Sequence, residues 1–212
     1  MRTALDLICR ELRMAGYDPT GLAGAGLEAC GEDRVRFTAD RNGNGQIDAS
    51  DQERITYWLE DDELSLRRTL YEGTASASTQ ELLEGVEALG FAYAYDADGD
   101  GAIDGPFAVD TDGDGDLDLD LDTNGDGLID EHDDANGDGI IEGRALNPEV
   151  GYERVRAVRI WLLARTGRRD PRWTDRGTYV VGRRVIAPAG DQAHRRRRLL
   201  VATVKLRNME LR

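Results

Sequence analysis

The sequence predicts an α+β protein in which one amphipathic N-terminal α-helix packs on a mostly antiparallel β-sheet. Residues 3–15 place Leu5, Ile8 and Leu12 at helical spacing, which is typical of a helix with one buried face. Several later segments instead alternate apolar and polar residues, as half-buried strands do. A glycine-rich acidic stretch at residues 96–143 follows directly on one of these segments. It predicts an insertion into the sheet protein at a strand end.

The predicted helix ends early, because Gly16 is followed by Pro19 and both residue types stop helices. From there to residue 33 the chain is rich in Gly and Ala and follows neither the helical nor the strand period. This part is expected to be an irregular loop.

Strand patterns occupy much of the remaining chain. Residues 35–39 and 55–59 alternate, and an acidic turn at 60–63 joins the second of these to residues 64–71 as a predicted hairpin. The other predicted strands are residues 91–95, residues 155–165, a short hairpin around Gly182 and residues 200–207.

The negative charge of the chain is local. The net charge is -15, yet residues 96–143 hold 16 Asp and 2 Glu with no Lys or Arg, so this segment carries -18 and the rest of the chain +3. We therefore expect three parts: the first part of the sheet domain at residues 1–95, an acidic insertion at 96–143, and the second part of the sheet domain at 144–212.

Two cysteines, Cys9 and Cys30, are 21 positions apart and lack a CxxC spacing, which argues against a zinc or redox motif. Two interpretations remain open. They form a disulfide if the protein is exported, and otherwise they are two small core residues.

The acidic stretch repeats the spacing of a twelve-residue calcium loop. In that loop, positions 1, 3, 5, 9 and 12 supply side-chain oxygens, position 7 supplies a carbonyl, and position 6 is Gly because the chain turns sharply there. Five segments have Asp at position 1 and Gly at position 6, and we name them by their first residue: loops 40, 96, 110, 122 and 134.

Loops 40 and 122 are filled at every position and are the strongest predicted calcium sites. Position 7, at Gln46 or Leu128, contributes only its carbonyl. The predicted ligands are Asp40, Asn42, Asn44, Gln46, Asp48 and Asp51 in loop 40, and Asp122, Asn124, Asp126, Leu128, Asp130 and Asp133 in loop 122.

The other three loops lack an oxygen ligand at position 12, where Phe107, Leu121 and Ala145 stand. Their last ligand is expected from a neighbour or from water, and loops 110, 122 and 134 abut so closely that they can share ligands. The predicted ligands are Asp96, Asp98, Asp100, Ala102 and Asp104 in loop 96; Asp110, Asp112, Asp114, Asp116 and Asp118 in loop 110; and Asp134, Asn136, Asp138, Ile140 and Glu142 in loop 134.

An acidic disordered linker is the alternative interpretation of this stretch. A solvated linker, however, needs neither Gly at a fixed position nor an apolar residue two positions later, such as Ile103, Leu117, Ile129 and Ile141. These apolar residues are predicted to form a small core of the insertion. The 18 negative charges also repel one another at close range unless divalent cations compensate them.

The loops do not have the helices of EF-hand sensors. Asp51 is followed by a strand pattern, and the tandem spacing leaves no room for helices between loops, so neither a calmodulin-like switch nor a dockerin is expected. Residues 96–143 resemble the calcium-wrapped arrays of thrombospondin type 3 repeats. Extracellular calcium modules bind with dissociation constants on the order of 10⁻⁴ to 10⁻³ M, so a location outside the cytoplasm is expected.

Several segments outside the acidic stretch together resemble PilW-type minor pilins of type IV pili, which are related to the J-type pseudopilins of type II secretion. Their order and spacing carry the resemblance more than any one of them. The segments are DLICRELRMAGYDPTG at 6–21, ELLEGVEALGFAYAYDADGDG at 81–101, VRAVRIWLLART at 155–166, TYVVG at 178–182 and RRRLLVATVKLRNM at 196–209.

The resemblance implies a pilin-like fold, in which a long N-terminal helix packs its exposed half on an antiparallel sheet; residues 1–16 would be that half. The leader-peptidase site and the apolar membrane half of the family are not in this sequence, and no run approaches the roughly 20 apolar residues that a membrane helix needs. We therefore expect a soluble head whose membrane anchoring belongs to a longer parent chain. The implied partners are other minor pilins or pilus subunits and a tip adhesin or surface, and the implied location is periplasmic or extracellular.

The leading functional hypothesis is a calcium-stabilised minor pilin head that takes part in pilus assembly, priming or tip function. The alternative is a calcium-dependent adhesin or carbohydrate-binding module. An enzyme is not expected, because the two histidines, His132 and His194, lack a paired nucleophile motif. Nucleic acid binding is not expected either, since the basic run at 194–200 feeds a strand and has no interleaved aromatic residues.

Overall fold

A computed structural model describes residues 1–49 and 51–209 of the chain. Over these residues the α+β prediction is wrong, because the protein is mostly β. One α-helix, α1 (Arg2–Leu12), accompanies thirteen strands in three antiparallel sheets. No described helix has the length and the apolar composition to span a membrane.

Helix α1 forms as the apolar spacing predicts, although it ends at Leu12 rather than at residue 15. Its buried residues include Leu5, Ile8 and Leu12. Gly16 follows in a left-handed conformation with a φ of 77°, which glycine adopts without steric cost. Its amide donates to the Thr38 carbonyl at 3.0 Å, so the chain turns directly onto the first sheet.

The first sheet has five strands in the order β1-β2-β3-β4-β5. The predicted strands and hairpin near residues 35–71 are confirmed, whereas β1 lies inside the stretch that was expected to be an irregular loop, so that expectation was wrong there. The strands are β1 (Leu27–Cys30), β2 (Arg34–Thr38), β3 (Arg54–Glu60), β4 (Ser65–Leu70) and β5 (Ser78–Glu84).

The second sheet has six strands in the order β13-β10-β6-β7-β8-β9. Strands β6, β10 and β13, on one side of this sheet, were predicted by their alternation, but β7, β8 and β9 were not. The strands are β6 (Val86–Tyr95), β7 (Gly105–Val109), β8 (Asp116–Asp120), β9 (Arg144–Gly151), β10 (Val155–Arg165) and β13 (Arg197–Lys205).

The predicted hairpin around Gly182 is confirmed as a third, two-stranded sheet of β11 (Tyr179–Val181) and β12 (Arg184–Ile186). It lies close against β6, because a Cβ added at Gly90 would meet the Gly182 amide nitrogen at 2.6 Å. Short 3-10 helices lie at Tyr152–Arg154, Gly190–His194 and Arg207–Met209.

The acidic segment is continuous with the main sheet, because it supplies β7 and β8. Its position-8 residues therefore do not form a core of their own. Leu117 and Ile141 are fully buried in the main hydrophobic core, and Ile129 is partly buried against it. Ile103, in contrast, is 48% exposed.

The two cysteines are buried free thiols, so the disulfide interpretation is not supported. Cys9 lies on α1 and Cys30 at the end of β1. Of the two interpretations left open by the sequence, the structure agrees with small core residues.

Candidate metal centre

All five predicted loops wrap their backbone around the first aspartate. In loop 122, the Gly125 amide donates to one carboxylate oxygen of Asp122 at 2.7 Å and the Gly127 amide to the other at 2.8 Å. The position-4 and position-6 amides make the same pair of bonds in loops 40, 96 and 134. Loop 110 makes the first of them, from Gly113 at 2.6 Å.

The side chains at positions 3 and 5 also turn toward the loop interior. In each loop, the position-3 oxygen accepts the amide of position 5, and the position-5 oxygen accepts the amide of position 7. In loop 122 these bonds run from Asp126 to Asn124 and from Leu128 to Asp126, both at 2.9 Å. The side chains at positions 3 and 5 thus each accept a backbone amide of their own loop. These hydrogen bonds join residues two positions apart, so they depend on the local sequence.

The glycines at position 6 are required by the backbone. Gly45, Gly101, Gly115, Gly127 and Gly139 have φ values of 82°, 89°, 110°, 80° and 92°. An L-residue with a side chain rarely adopts such a conformation. The regular glycine spacing in the sequence therefore reports one shared loop shape.

The first aspartates are buried carboxylates with few cationic partners. Asp40, Asp96, Asp110 and Asp122 are 0%, 2%, 5% and 5% exposed. A cationic group within 4 Å is described only for Asp96, whose carboxylate lies 3.4 Å from the Arg156 Nε atom. A buried carboxylate costs free energy unless it is paired or coordinated, so these positions suit a bound cation.

One further carboxylate closes each of the two complete loops. In loop 122 it is the predicted Asp133, which accepts the amides of Thr123 at 2.8 Å and Asp130 at 3.0 Å. In loop 40 the same bonds go to Glu53, which accepts the amides of Arg41 at 2.8 Å and Asp48 at 2.6 Å.

Glu53 was missed because it lies two residues beyond the twelve-residue template. The predicted Asp51 remains at the loop, where it accepts the side-chain amide of Asn42 at 2.9 Å. Asn44 donates to the predicted Asp48 as well. Asparagine amides therefore hold together the acidic groups that a cation would join.

Three groups of carboxylates have oxygens within 4.8 Å of one another among the described residues. They lie in loops 96 and 110, which the template scores as incomplete, rather than in the asparagine-containing loops 40, 122 and 134. The groups are Asp96, Asp98 and Asp104; Asp110, Asp112 and Asp114; and Asp114, Asp116 and Glu149.

Glu149 was missed entirely and comes from β9. Strand β9 pairs with β8, with Val150 opposite Leu117, and this pairing brings the Glu149 carboxylate beside Asp114 and Asp116. Loop 110 thereby gains an acidic oxygen in place of the one that Leu121 lacks at position 12. The charge of Asp114 raises the pKa of Glu149, with smaller contributions from burial and from Asp112.

These observations fit a hard divalent cation that prefers oxygen ligands, such as calcium. The donors are carboxylate, amide and carbonyl oxygens. The predicted ligand carboxylates of loop 110 lie close together with no described cationic side chain within 4 Å of them, since Arg144 pairs with Asp120, which is not a predicted ligand. The donor set contains no thiolate, which a zinc or copper site would favour.

Loop 110 is also connected to β1 and to Tyr152 by hydrogen bonds. The Asp110 amide donates to the Cys30 carbonyl at 3.0 Å, and the Tyr152 hydroxyl donates to the Asp110 carboxylate. Tyr152 in turn accepts the Cys30 amide at 3.2 Å. Burial and the bond to Asp110 raise the pKa of Tyr152, so this phenol remains a hydrogen-bond donor to the loop.

The two histidines have different partners. His132 is exposed and contacts the Asp130 carboxylate at 2.8 Å through Nδ1; the same carboxylate raises the pKa of His132. His194 contacts the Trp173 carbonyl at 2.7 Å through Nδ1. Neither has a nucleophilic side chain among its described partners.

Two of the four arginines in the basic run at 195–198 are paired with acidic side chains. Arg196 contacts Asp170 at 2.9 Å, and the buried Arg197 contacts Asp175 at 3.4 Å as well as Glu87. The expectation that the chain does not bind nucleic acid stays a prediction.

Comparisons with known proteins agree with the resemblance seen in the sequence. The family profile described as type IV pilus-assembly protein W, PilW, matches residues 56–208, which is more than half of the 212-residue chain. Among solved structures, a type IV-like pilin from Thermus thermophilus is similar, with a TM-score of 0.52 and 18% identity over 99% of this chain and 95% of that one. No curated protein sequence matches the chain.

Proposed function

Because the chain belongs to the PilW family of type IV pilus-assembly proteins, we propose that it is a minor pilin head whose second sheet is stabilised by bound calcium. The family is a structural component of the pilus, and the mostly β structure has a pilin-like fold. Beyond family membership, we propose that the protein binds calcium, that it acts in pilus assembly, priming or tip function, and that it lies in the periplasm or outside the cell.

The observation that carries the calcium proposal is the common wrap of all five loops. Each loop turns side-chain oxygens from positions 1, 3 and 5 inward, which is the ligand arrangement of a twelve-residue calcium loop. Buried aspartates such as Asp40 and Asp122 add to it, because their charge has no described cationic partner.

Four of the five loops connect strands toward one edge of the second sheet, whereas loop 40 joins β2 to β3 in the first sheet. Loop 96 joins β6 to β7, loop 110 joins β7 to β8, and loops 122 and 134 join β8 to β9. Calcium supplies positive charge and oxygen coordination when bound. The loop ligands would then hold β7, β8 and β9 in register, although the 18 acidic groups within these 48 residues repel one another.

A rigid sheet edge would favour assembly with other pilus subunits. A surface that is already ordered loses less conformational entropy when a partner docks. We therefore expect other minor pilins or pilus subunits as partners, with the edge made of β8 and β9 kept in one shape.

The proposal is tested by thermal unfolding in calcium and in chelator. Wild-type protein should unfold at a higher temperature in calcium, because a ligand at about 100 times its dissociation constant stabilises by about 2.7 kcal/mol per site. Asp126→Asn removes a charge at a ligand position of loop 122, so the calcium-dependent shift should shrink.

Glu131→Gln is the matched control. Glu131 is an exposed acid of the same loop at position 10, which supplies no ligand. This variant should keep the full calcium shift. If both variants lost the calcium-dependent shift in melting temperature equally, the shift would be due to general charge screening. If the wild type showed no shift, the proposal would be refuted.

A further inference from the structure

Arg159 is a partly buried guanidinium without an acidic partner. No described carboxylate lies within 4 Å of it, and its Nε atom is buried without a hydrogen-bond acceptor. Burial lowers the pKa of Arg159, and no neighbouring acid offsets that effect.

Two arginines whose side chains have less than 10% exposure, Arg68 and Arg197, are paired with acids. Arg68 has 8% side-chain exposure and contacts Glu11 at 2.9 Å. Arg197 has 0% side-chain exposure and contacts both Glu87 and Asp175. Removing a cation from water is costly without such partners. Arg195 also has a buried Nε atom without an acceptor, but its guanidinium donates to the Thr166 and Gly167 carbonyls, whereas no hydrogen bond of the Arg159 guanidinium is described.

Two aromatic rings hold Arg159 in place. Its guanidinium carbon lies 5.2 Å from the ring centroid of Phe107 on β7 and 5.2 Å from that of Trp161 on β10. Arginine stacks well on aromatic faces, and its planar fork can then offer N–H groups to one bidentate acceptor. The two rings thus hold the Arg159 guanidinium in one position but leave its positive charge without a counterion.

A second positive charge lies on the neighbouring strand β13, on the exposed face of the sheet beside Arg159. Thr203 on β13 is paired directly with Arg159, and Lys205 is paired with Ala157 two residues earlier on β10. Diagonal neighbours of this kind on one sheet face lie about 7–8 Å apart. Thr203 and Lys205 are exposed, and Lys205 is the only lysine of the chain.

We propose that Arg159, with Lys205 and Thr203 beside it, binds a carboxylate side chain of a neighbouring protein subunit on the open face of the second sheet. Arg159 supplies the bidentate fork, Thr203 a hydroxyl and Lys205 a second positive charge. Val201, which is 44% exposed on the same strand, offers an apolar contact next to the charged one. The site uses none of the predicted calcium ligands, although Phe107 is the last residue of loop 96.

A protein carboxylate fits this surface better than a nucleic acid. Non-specific nucleic acid binding needs several cations along a phosphate backbone. Among the described residues, Arg13 and Arg207 line a pocket together with Thr203 and Lys205, so an oligonucleotide is a necessary comparison probe. The acidic segment of the same chain, at -18, would repel an extended polyanion. A single acidic side chain avoids most of that repulsion.

The test uses Trp161 fluorescence, because Arg159 lies against that ring. Trp58→Phe and Trp173→Phe leave Trp161 as the only tryptophan in the otherwise full chain. A blocked tetra-glutamate peptide is titrated in at low salt, with a blocked tetra-glutamine peptide and a short single-stranded oligonucleotide as comparison probes. The glutamate peptide should give a saturable change, and the glutamine peptide none.

Arg159→Met should weaken glutamate-peptide binding by at least about tenfold, and its melting temperature should be unchanged or higher, since an unpaired charge is replaced by an apolar side chain. Arg198→Ala is the matched control: Arg198 is an exposed arginine of β13, and its loss should change binding less than about twofold. Arg159→Lys keeps the charge but loses the fork, so it should bind more weakly than wild type even if the Met variant fails to fold.

The proposal is overturned if Arg159→Met and Arg159→Lys both bind the glutamate peptide as tightly as wild type. It is equally overturned if Arg198→Ala weakens binding as much as Arg159→Met, or if the oligonucleotide binds more tightly than the glutamate peptide.

Discussion

Replacing Leu117 by alanine should destabilise the whole protein, although Leu117 lies within the acidic segment. Leu117 is position 8 of loop 110 and the second residue of β8. Its side chain is fully buried in the main core. If the acidic segment were an independent insertion, its loss of packing would stay local.

The magnitude follows from burial. Truncation of a fully buried leucine to alanine costs about 2–5 kcal/mol. For a domain of 150–250 residues each kcal/mol shifts the melting temperature by about 2–4 °C, so a decrease of about 4–20 °C is expected. Ile103 occupies the same template position in loop 96 but is 48% exposed, so Ile103→Ala should cost only about 1 kcal/mol.

Calorimetric or fluorescence-detected unfolding measures both variants under the same calcium concentration. A single cooperative transition should move in Leu117→Ala. Equal shifts for Leu117→Ala and Ile103→Ala would refute the packing argument, as would a separate low-temperature transition with the main one unmoved.

Three other perturbations test separate parts of the structure. Glu149→Gln should weaken calcium binding in loop 110 while leaving the melting temperature in chelator unchanged or higher, since it relieves repulsion from Asp114; unchanged calcium uptake would exclude Glu149 as a ligand. Burial alone would raise the pKa of Glu72, but its hydrogen bond from Arg36 and the nearby charge of Arg34, at 2.7 Å, lower it. A lowered pKa stabilises the folded state above the unfolded pKa, and this stability, below about 1 kcal/mol for a part-exposed group, is lost as the pH falls. Acid unfolding between about pH 5 and 3 should therefore be less steep in Glu72→Gln, and identical profiles would contradict this. Burial is also the main cause that raises the pKa of both Cys9 and Cys30, so a thiol reagent should label neither cysteine in native protein and both in urea; no labelling in urea would indicate a disulfide.

The local sequence predicted the conformation of the loops, and their calcium ligands stay a prediction. Positions 1, 3, 5 and 6 of a calcium loop lie within six residues, so the spacing that defines them also produces the observed wrap around residues such as Asp122. Glu149 could not be found in this way, because it lies 35 positions after Asp114 and reaches it only through the pairing of β8 with β9.

The predicted fold class was wrong because strands β1, β7, β8 and β9 were not recognised in the sequence. Residues 116–120 alternate as DLDLD, which is a strand period, but the same residues also fit a calcium loop and were assigned to it alone. Strand β9 contains Pro148, which argues against a strand except at an edge; β9 is indeed the edge of its sheet. Strand β1 has only four residues, too few for a period to stand out.

Direct calorimetric titration of calcium into chelator-treated protein tests the central claim most directly. The account predicts saturable uptake of at least two and at most five ions per chain, with dissociation constants on the order of 10⁻⁴ to 10⁻³ M, and fewer ions in a variant that carries both Asp40→Ala and Asp122→Ala. No saturable binding, or the same number of ions in that variant as in wild type, would contradict it.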